Sequence, residues 1–386
     1  MQIVFFSNFI NHHQANVADE IYKLTNGNYT FVELSPIYDW LLKGGYSDLS
    51  SRPYVLQAWK SKENMDKAME LLYSSDVALF SCPESWDFEV LRAKTGKLCF
   101  DVSERWLKRG WLNLASPRLI KYFWYYYTVL SQHKVYKLCS SAFACADHYK
   151  LHSFLNKCYK WGYFTRVDEN FDVEAHLGVS TSGSVHTLMW CARFLKWKHP
   201  ELPIMMAARL KRNGYSFLLD MYGSGVELER TKALAEKLGV SDVVSFKGNM
   251  PNDEILCAMR QHDIFLFTSD KNEGWGAVAN EAMSNGCAIV GSDAIGSIPF
   301  LVKDGENGYT FKSCNLDSLC EKVEDLLDNP SKRKQFAINA YRTMCDVWSP
   351  RKAAENFLQL VNGIQNGREI SIEEGPCSKA YPICWK

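Results

Sequence analysis

The sequence predicts an α/β protein built from two doubly wound domains, each with a parallel sheet covered by helices on both faces. Short apolar runs alternate with segments of helical spacing along most of the chain, as in parallel sheets with helical crossovers. At 386 residues the chain is longer than one ordinary core supports, so about two domains are expected. Apolar residues make up 47% and charged residues 23%, a composition typical of globular proteins rather than disordered or membrane-spanning ones.

The predicted N-terminal domain covers residues 1–166. Compact or alternating apolar runs predict its strands, and a period near 3.6 predicts its helices. The predicted strands are 3–6, 29–34, 77–81, 97–102 and 134–139, and the predicted helices are 15–24, 62–73 and 86–94. Residues 8–14 are predicted to be a polar loop after the first strand.

A polar stretch without a clear period, residues 167–183, is predicted to be a linker. The C-terminal domain is predicted at 184–347, with a final segment, 348–386, that begins at a Trp-Ser-Pro break. The predicted strands are 185–192, 216–222, 243–246, 263–267 and 288–291, and the predicted helices are 277–285, 317–327, 332–345 and 351–364, with another ending at 238. Residues after 367 show no period and are expected to form a loosely held tail.

Thirteen cysteines are irregularly spaced, and the N-terminus has neither a basic region nor a cleavage site typical of a secretory signal. We therefore expect reduced thiols in a cytoplasmic protein. Cys377 and Cys384 resemble a metal pair, but the sequence supplies no further ligands beside them, so no metal is predicted. No apolar run reaches the roughly 18 residues of a membrane-spanning helix.

The sharpest motif lies in residues 269–311. Its two glutamates, Glu273 and Glu281, are separated by seven residues, with a Gly-Trp-Gly turn after the first and a predicted helix around the second. Glycines before a helix let a ligand approach the backbone, and the N–H groups of a first helical turn suit an anion. Glu281 could then reach a hydroxyl beside that anion. A phosphate next to a diol is the arrangement found at the ribose of a nucleotide.

Within this stretch, EGWGAVANEAMSNGCAIVGSDAIG resembles the E-x7-E signature EGFGLVxLEAMAxGxPVVxTxxGG of the retaining glycosyltransferases of family 4. Among the proteins of that family, the sequence is similar to bacterial capsular and exopolysaccharide transferases. It implies the GT-B fold, in which two Rossmann-like domains face a cleft and the C-terminal helix crosses back to the N-terminal domain. The alternative interpretation is a capped helix whose glutamates face solvent.

The resemblance extends to the donor-binding elements, which follow strands in the family's order. Arg193 and Lys198 match the G-R-x4-K element, whose cations hold the donor diphosphate and stabilise the charge that develops as the glycosidic bond breaks. Ala192 and His199 replace the glycines of that element. The alternative is that both cations are plain surface residues. The resemblance further implies that Glu273 contacts donor-sugar hydroxyls and Glu281 the ribose, and it adds the donor-binding positions Gly274, Trp275, Gly276, Ala277, Gly223, Gly248 and Asn249.

Two polar clusters follow strands of the N-terminal domain, where ligands of open α/β sheets gather, and are candidates for acceptor binding. Of these, Glu104 could deprotonate or orient an acceptor hydroxyl as a general base. Its alternative role is a structural ion pair with Arg105. The family's Gly-Gly pair in the first loop is replaced here, so acceptor identity stays open. The candidate acceptor residues are Asn11, His12, His13, Ser103, Glu104 and Arg105.

Residues 101–166 carry eleven basic and three acidic side chains, a net charge of +8 in a chain whose overall charge is zero. Within them, segment 105–130 mixes Trp and Tyr with Lys and Arg, as helices at a membrane interface do. Such a surface suits an anionic inner leaflet and a polyprenyl-linked acceptor. The alternatives are buried aromatic residues with solvated cations, or nucleic-acid binding, for which no motif is present.

The resemblance thus implies a retaining transferase that moves a sugar from a nucleotide-diphosphate sugar, first of all a UDP-sugar, to a hydroxyl of a glycan or polyprenyl-linked oligosaccharide. Envelope or capsule polysaccharide synthesis on the inner face of the plasma membrane is the expected setting. No cofactor is expected, and no metal, because no Asp-x-Asp motif is present. Two alternatives stay open: a sugar-nucleotide epimerase of the same fold, and a catalytically silent sugar-nucleotide-binding subunit.

Overall fold

The computed structural model describes residues 1–39, 47–179, 185–368 and 370–383. The chain divides into two compact units, one formed by Met1–Arg166 with Val347–Lys386 and the other by Val167–Asp346. Residues 180–183 at the end of the predicted linker, residue 184 at the start of the predicted C-terminal domain, and Cys384 lie outside the described residues.

The first unit contains a seven-stranded parallel sheet in the order β3-β2-β1-β4-β5-β6-β7. Its central strands β1 and β4 are buried along their whole length, as expected for parallel strands covered on both faces. The strands are β1 Ile3–Ser7, β2 Tyr29–Glu33, β3 Val55–Gln57, β4 Val77–Phe80, β5 Leu98–Ser103, β6 Val135–Cys139 and β7 Cys158–Lys160.

Helices cover this sheet, and the C-terminal helix Pro350–Asn366 packs against the first helix, His12–Leu24. The first helix begins earlier than predicted, because the Asn11 side chain accepts a hydrogen bond from the His13 N–H (3.0 Å) and caps it. The other α-helices in the described part of this unit are Lys62–Ser74, Trp86–Ala93, Pro117–Thr128 and Ala144–Lys150.

The predicted loose tail is wrong, because residues 377–380 run antiparallel along the edge strand β7. The Cys377 N–H donates to the Lys160 carbonyl (2.7 Å), the Lys160 N–H to Ser378 (2.8 Å) and the Ala380 N–H to Cys158 (3.1 Å). Cys377 is fully buried. The tail thereby supplies the backbone partners that an edge strand otherwise lacks.

The second unit contains a six-stranded parallel sheet in the order β10-β9-β8-β11-β12-β13. Its core lies between this sheet and the helices on its faces. The strands are β8 His186–Cys191, β9 Phe217–Tyr222, β10 Val244–Gly248, β11 Ile264–Phe267, β12 Ala288–Ser292 and β13 Tyr309–Phe311. The α-helices are Val173–Val179, Glu201–Arg212, Leu228–Lys237, Asn252–Met259, Val278–Ser284, Ile298–Leu301, Leu316–Asp328 and Pro330–Arg342.

The segment predicted as a linker contains the helix Val173–Val179. Val173 and Phe171 pack with Ile338 and Tyr341 in a small apolar cluster of the second unit. These apolar contacts explain why a stretch with no clear period in sequence is nevertheless ordered there.

Candidate functional site

In the second unit, Lys198 forms an ion pair with Glu273, and both side chains are about nine-tenths buried. Lys198 follows β8 and Glu273 follows β11; these strands are parallel neighbours, so their carboxyl-end loops lie side by side. Burial lowers the pKa of Lys198, and the Glu273 carboxylate opposes that shift. Residues from two separately predicted motifs therefore meet at the carboxyl edge of the sheet.

Hydrogen bonds fix the backbone around Lys198. The Thr268 hydroxyl donates to the Lys198 carbonyl (2.8 Å) and accepts from the indole N–H of Trp190 (2.9 Å). The Asp270 N–H donates to the Trp197 carbonyl (3.0 Å). The loop after β8 is thus attached to the loop after β11, and the ammonium group is held at a defined place.

His199, which replaces the family's glycine after the lysine, has left-handed backbone geometry with φ 51°. This conformation explains why glycine suits the position. Here the imidazole Nδ1 lies 2.7 Å from Glu201 Oε1, and its Nε2 lies 3.3 Å from Asp270 Oδ2. The hydrogen bond to Glu201 is the main cause that raises the pKa of His199. Side-chain contacts therefore compensate for an unfavourable backbone conformation.

The turn Gly223-Ser224-Gly225 packs directly against the backbone on both sides of Arg193. A Cβ on Gly223 would lie 2.0 Å from the Ala192 carbonyl oxygen, and both glycines have positive φ, 122° and 148°. The Phe194 N–H donates to the Ser224 carbonyl (2.8 Å). The glycines are needed because no side chain fits between these two loops.

The loop after β10 joins the same assembly. The Gly223 N–H donates to the Gly248 carbonyl (2.8 Å), and the Asn249 amide donates to the Ser224 hydroxyl (2.9 Å). Arg193 is exposed, and its charge contributes to lowering the pKa of Lys198, in agreement with a guanidinium close to that ammonium. The predicted positions Arg193, Lys198, Gly223, Gly248 and Asn249 are therefore brought together.

Glu281 lies on the helix Val278–Ser284, and burial raises the pKa of its carboxyl to about 7, against an opposing hydrogen bond with Asn252. The Glu281 carboxyl therefore changes its charge near neutral pH.

The glycine turn before this helix has a structural role that partly corrects the donor-binding prediction. The Trp275 side chain is fully buried, and its indole N–H donates to Asn280 (2.8 Å). Gly276 has φ 81°, and a Cβ there would lie 2.4 Å from the Phe267 ring. The indole of Trp275 therefore supports the loop and cannot contact a donor. Gly274 and Ala277 are partly exposed beside it.

In the first unit, the predicted acceptor residues His13 and Glu104 both contact Tyr163. The rings of His13 and Tyr163 stack with centroids 5.0 Å apart, and the Tyr163 hydroxyl donates to Glu104 Oε1 (2.8 Å). Burial, assisted by the charge of His12, lowers the pKa of His13 to about 3, so the ring is neutral. Sequence analysis missed Tyr163, because β7 was not among the predicted strands and the contact joins residues 59 positions apart.

Arg105 forms a buried ion pair, and its partner is Asp147 instead of the Glu104 named in the predicted alternative. Its guanidinium pairs with Asp147 (2.9 Å) and both side chains are buried, whereas Glu104 faces Lys108 at 3.7 Å. The Ser103 hydroxyl accepts from the indole N–H of Trp106 (3.2 Å) and from Lys137. Arg105 and Ser103 therefore stabilise the unit rather than present free groups.

Segment 105–130 divides its aromatic residues between the core and the surface. Trp106, Tyr122 and Tyr126 are buried. The exposed large side chains on this segment, here called the aromatic-basic surface together with the exposed cations Arg109, Arg118 and Lys121, are Trp111, Leu112, Ile120, Trp124 and Tyr127. The predicted alternative of buried aromatics with solvated cations therefore holds for Trp106, Tyr122 and Tyr126 and not for the exposed rings. No helix in the described part of the chain is long and apolar enough to cross a membrane.

The architecture matches solved proteins along most of the chain. The crystal structure of Anabaena HepE in complex with UDP is similar over 94% of this chain and 100% of that chain, with a TM-score of 0.69 at 14% identity. At such identity the likeness concerns the fold. Two parallel-sheet Rossmann-like units with this likeness define the GT-B fold, as predicted.

The second unit also has a family match: residues 184–343 match the family Glycosyl transferases group 1. The chain is 29% identical over 161 residues to the poly(glycerol-phosphate) alpha-glucosyltransferase of Bacillus subtilis, covering 42% of this chain and 23% of that protein. It is 25% identical over 184 residues to the GDP-mannose-dependent alpha-(1-6)-phosphatidylinositol monomannoside mannosyltransferase of Mycolicibacterium smegmatis, covering 46% and 48%. The chain thus spans less than half the length of these two relatives.

Proposed function

We propose that the chain is a retaining glycosyltransferase that moves a sugar from a nucleotide-diphosphate sugar to a hydroxyl of a glycan or lipid-linked acceptor. The observation that carries this proposal is the contact of Lys198 with Glu273 beside Arg193, at the carboxyl edge of the second sheet. It joins cations suited to a diphosphate with a carboxylate suited to sugar hydroxyls. The match of residues 184–343 to Glycosyl transferases group 1 supports the same activity.

In the proposed reaction, Arg193 and Lys198 bind the diphosphate and stabilise the negative charge that it gains as the glycosidic bond breaks. Fixed cations in a partly desolvated site lower the energy of such a transition state without reorganisation. Glu273, whose carboxylate pairs with the Lys198 ammonium, is proposed to accept hydrogen bonds from donor-sugar hydroxyls. Because these side chains supply the charge stabilisation, we propose that transfer does not require a metal.

Glu281 is proposed to accept hydrogen bonds from the ribose diol. UDP is the first candidate nucleotide, supported by the UDP in the similar HepE structure. The Mycolicibacterium relative is named for GDP-mannose, so a guanine nucleotide belongs in the same test. Both relatives are named for alpha-linked products, which supports retention at the anomeric carbon of an alpha-linked donor. The leaving phosphate is proposed to assist the incoming hydroxyl on the same face.

On the acceptor side, Glu104 is proposed to orient or deprotonate the attacking hydroxyl. Its hydrogen bond from Tyr163 and the nearby Lys108 keep the carboxylate in one place. A carboxylate held in this way can act as a general base once a hydroxyl comes within hydrogen-bond reach.

The aromatic-basic surface is proposed to bind the anionic inner leaflet, where a polyprenyl-linked acceptor of envelope or capsule polysaccharide would be met. Asp147, buried on Arg105, is the one acid between residues 105 and 157, so the surface side chains of that stretch are basic or neutral. Exposed Trp and Tyr beside cations suit a headgroup region.

Co-sedimentation with vesicles tests this surface. The chain should bind vesicles containing phosphatidylglycerol and not pure phosphatidylcholine, and the double change Trp111→Ser with Trp124→Ser should abolish binding. A matched double change of exposed aromatics elsewhere, Tyr73→Ser with Trp59→Ser, should leave it intact. Equal binding to both vesicle types, or binding unaffected by the first double change, would exclude the proposed surface.

A donor screen tests the transferase activity. Purified chain is incubated with UDP-, GDP- and ADP-sugars and a polyprenyl-linked acceptor, with EDTA in parallel, and released nucleotide is measured. One donor should give turnover that persists in EDTA. Tight nucleotide binding without turnover for any pair would favour a catalytically silent subunit, and interconversion of the donor into its epimer without nucleotide release would favour an epimerase.

A further inference from the structure

A cavity of about 220 Å³ lies in the first unit at the carboxyl edge of its sheet. Three residues aligned across adjacent strands end at this edge: Ser7 on β1 pairs in register with Glu33 on β2, which pairs with Gln57 on β3. Glu33 and Gln57 line the cavity with Ile10. Ligands of open α/β sheets bind at this edge, which makes the cavity a candidate site on topology alone.

Glu33 is a buried carboxyl, 3% exposed, held by two donors. Its Oε1 accepts from the Ile10 N–H (3.0 Å) and its Oε2 from the Gln57 amide (3.1 Å). Among the described residues, no cation forms an ion pair with it, although a buried carboxylate is costly without one. Each oxygen keeps a further lone pair, so Glu33 can accept hydrogen bonds from a ligand without losing either of these.

Of the other lining residues, Trp59 contributes an exposed aromatic ring, and Lys60 and Asp48 contribute charged groups. Trp59 is 40% exposed, and the Lys60 ammonium donates to the Gln57 amide oxygen (3.1 Å). Asp48 stands beside them, with its carboxylate accepting from the Ser50 N–H (2.9 Å). An indole face with carboxylate, amide and ammonium groups around it offers a flat apolar surface beside both donors and acceptors.

We propose that this cavity, lined by Glu33, Gln57, Trp59 and Lys60, binds one uncharged sugar ring of the acceptor glycan. The proposal rests on the proposed transferase function and adds a substrate class to it. A sugar ring has an apolar face for Trp59 and a rim of hydroxyls for the polar groups. The cavity is smaller than the roughly 300–1,000 Å³ of pockets for drug-sized ligands, which suits one ring rather than a longer segment.

Charge selects a neutral ring over a phosphorylated one. Among the described lining residues, Glu33 and Asp48 oppose one cation, Lys60, and burial raises the pKa of Glu33. With Glu33 ionised the lining carries a net negative charge, and with Glu33 protonated it is neutral. In neither state do the described lining residues attract an anion, in contrast to the Arg193 and Lys198 pair of the second unit.

Ligand-observed NMR on the full chain tests the proposal without any nucleotide sugar. Methyl glycosides of glucose, galactose, mannose and N-acetylglucosamine are offered one at a time, with glucosamine and glucose 6-phosphate as charged comparisons. At least one neutral glycoside should show saturation transfer, and Trp59→Ala should weaken its binding at least tenfold. Lys60→Ala should weaken it severalfold. Tyr73→Ala, which removes an exposed aromatic ring outside the cavity, should leave the affinity unchanged.

Glu33→Gln should also weaken the neutral glycoside, and a thermal melt establishes that this variant is folded. Should that variant not fold, the exposed Trp59 and Lys60 carry the test. The proposal is overturned by the absence of binding for every neutral glycoside, by binding insensitive to both Trp59→Ala and Lys60→Ala, or by preference for glucose 6-phosphate. Nucleotide release in the donor screen is a separate readout, so loss of sugar binding and loss of transferase activity are distinguished.

Discussion

At the scale of single residues, the two glutamates of the motif differ in what controls their charge. Glu273 has the Lys198 ammonium as its partner, in a pair that is about nine-tenths buried. For Glu281, burial raises the pKa to about 7, far above the ordinary value of 4.5. Glu281 thus changes its charge in the pH range in which nucleotide binding is ordinarily measured.

Nucleotide affinity is therefore expected to depend on pH through Glu281. In the proposed donor site, the carboxylate form, present above pH 7, would accept hydrogen bonds from both ribose hydroxyls, whereas the protonated form has one acceptor fewer. Calorimetric titration with UDP should show affinity falling severalfold between pH 8 and pH 6. In Glu281→Gln the affinity should be low and flat over this range. An equally steep pH profile in that variant would assign the effect to another group.

His199 shows why a departure from a family pattern need not alter a loop. The sequence revealed only that a glycine was missing, whereas the structure reveals left-handed backbone with φ 51° and two acidic partners for the ring. A histidine in a sequence does not indicate that its backbone has a positive φ. The resemblance singled out Lys198, and the structure shows its ammonium in contact with Glu273.

At the scale of elements, the donor-site loops form one interlocked assembly because glycines let the backbones touch. Gly223→Ala should disrupt it, since the new Cβ would lie 2.0 Å from a carbonyl oxygen, at a φ of 122°. We expect a loss of roughly 3 kcal/mol or more in the free energy of unfolding of the second unit, measured with urea. UDP binding should be lost with it.

Gly239→Ala is the matched control for this change. Gly239 also has positive φ, 67°, but no atom lies within 4 Å of the place that a Cβ would take, so only the conformational cost of about 1–2 kcal/mol applies. Equal effects of the two substitutions would show that backbone strain, and not the close approach of the loops, explains Gly223.

The tail on β7 leads to a second prediction at this scale. Truncation after Gly367 removes three main-chain hydrogen bonds to β7 and uncovers an edge strand. At about 1 kcal/mol for each bond, the first unit should lose roughly 3 kcal/mol and aggregate on heating. Truncation after Tyr381 retains these bonds and should behave like the full chain in a thermal melt monitored by circular dichroism. Equal stability of both truncations would contradict the role given to the tail.

Elements with a strong local pattern were predicted to within a few residues. The apolar runs of β1, β4 and β11 predict buried strands, because a parallel strand covered by helices is apolar on both faces. Features set by contacts distant in sequence were not predicted. The pairing of the tail with β7, the Tyr163 link to Glu104 and the partner of Arg105 all depend on which strands become neighbours, and no local pattern encodes that.

At the scale of the whole molecule, the two units differ in how many of their candidate functional residues the sequence predicts. The family match covers residues 184–343, which includes every donor-site residue assigned to the second unit. The first unit has a similar fold in solved structures, but none of its candidate acceptor residues belongs to a shared motif. Glu104 was predicted from its place after a strand, and Tyr163, Glu33 and Trp59 come from the structure. The proposed donor site is therefore supported by a family match, and the proposed acceptor site by contacts in the first unit.

The central claim is that Arg193 and Lys198 hold a nucleotide diphosphate. Calorimetric titration with UDP and GDP tests it most directly, in the wild type and in Arg193→Ala, Lys198→Ala and the control Lys196→Ala, an exposed neighbouring lysine. One nucleotide should bind, and loss of either charge-assisted contact should weaken it at least tenfold. Lys196→Ala should change the affinity less than twofold. Absence of binding to both nucleotides, or unaltered affinity in folded Arg193→Ala and Lys198→Ala, would contradict the claim.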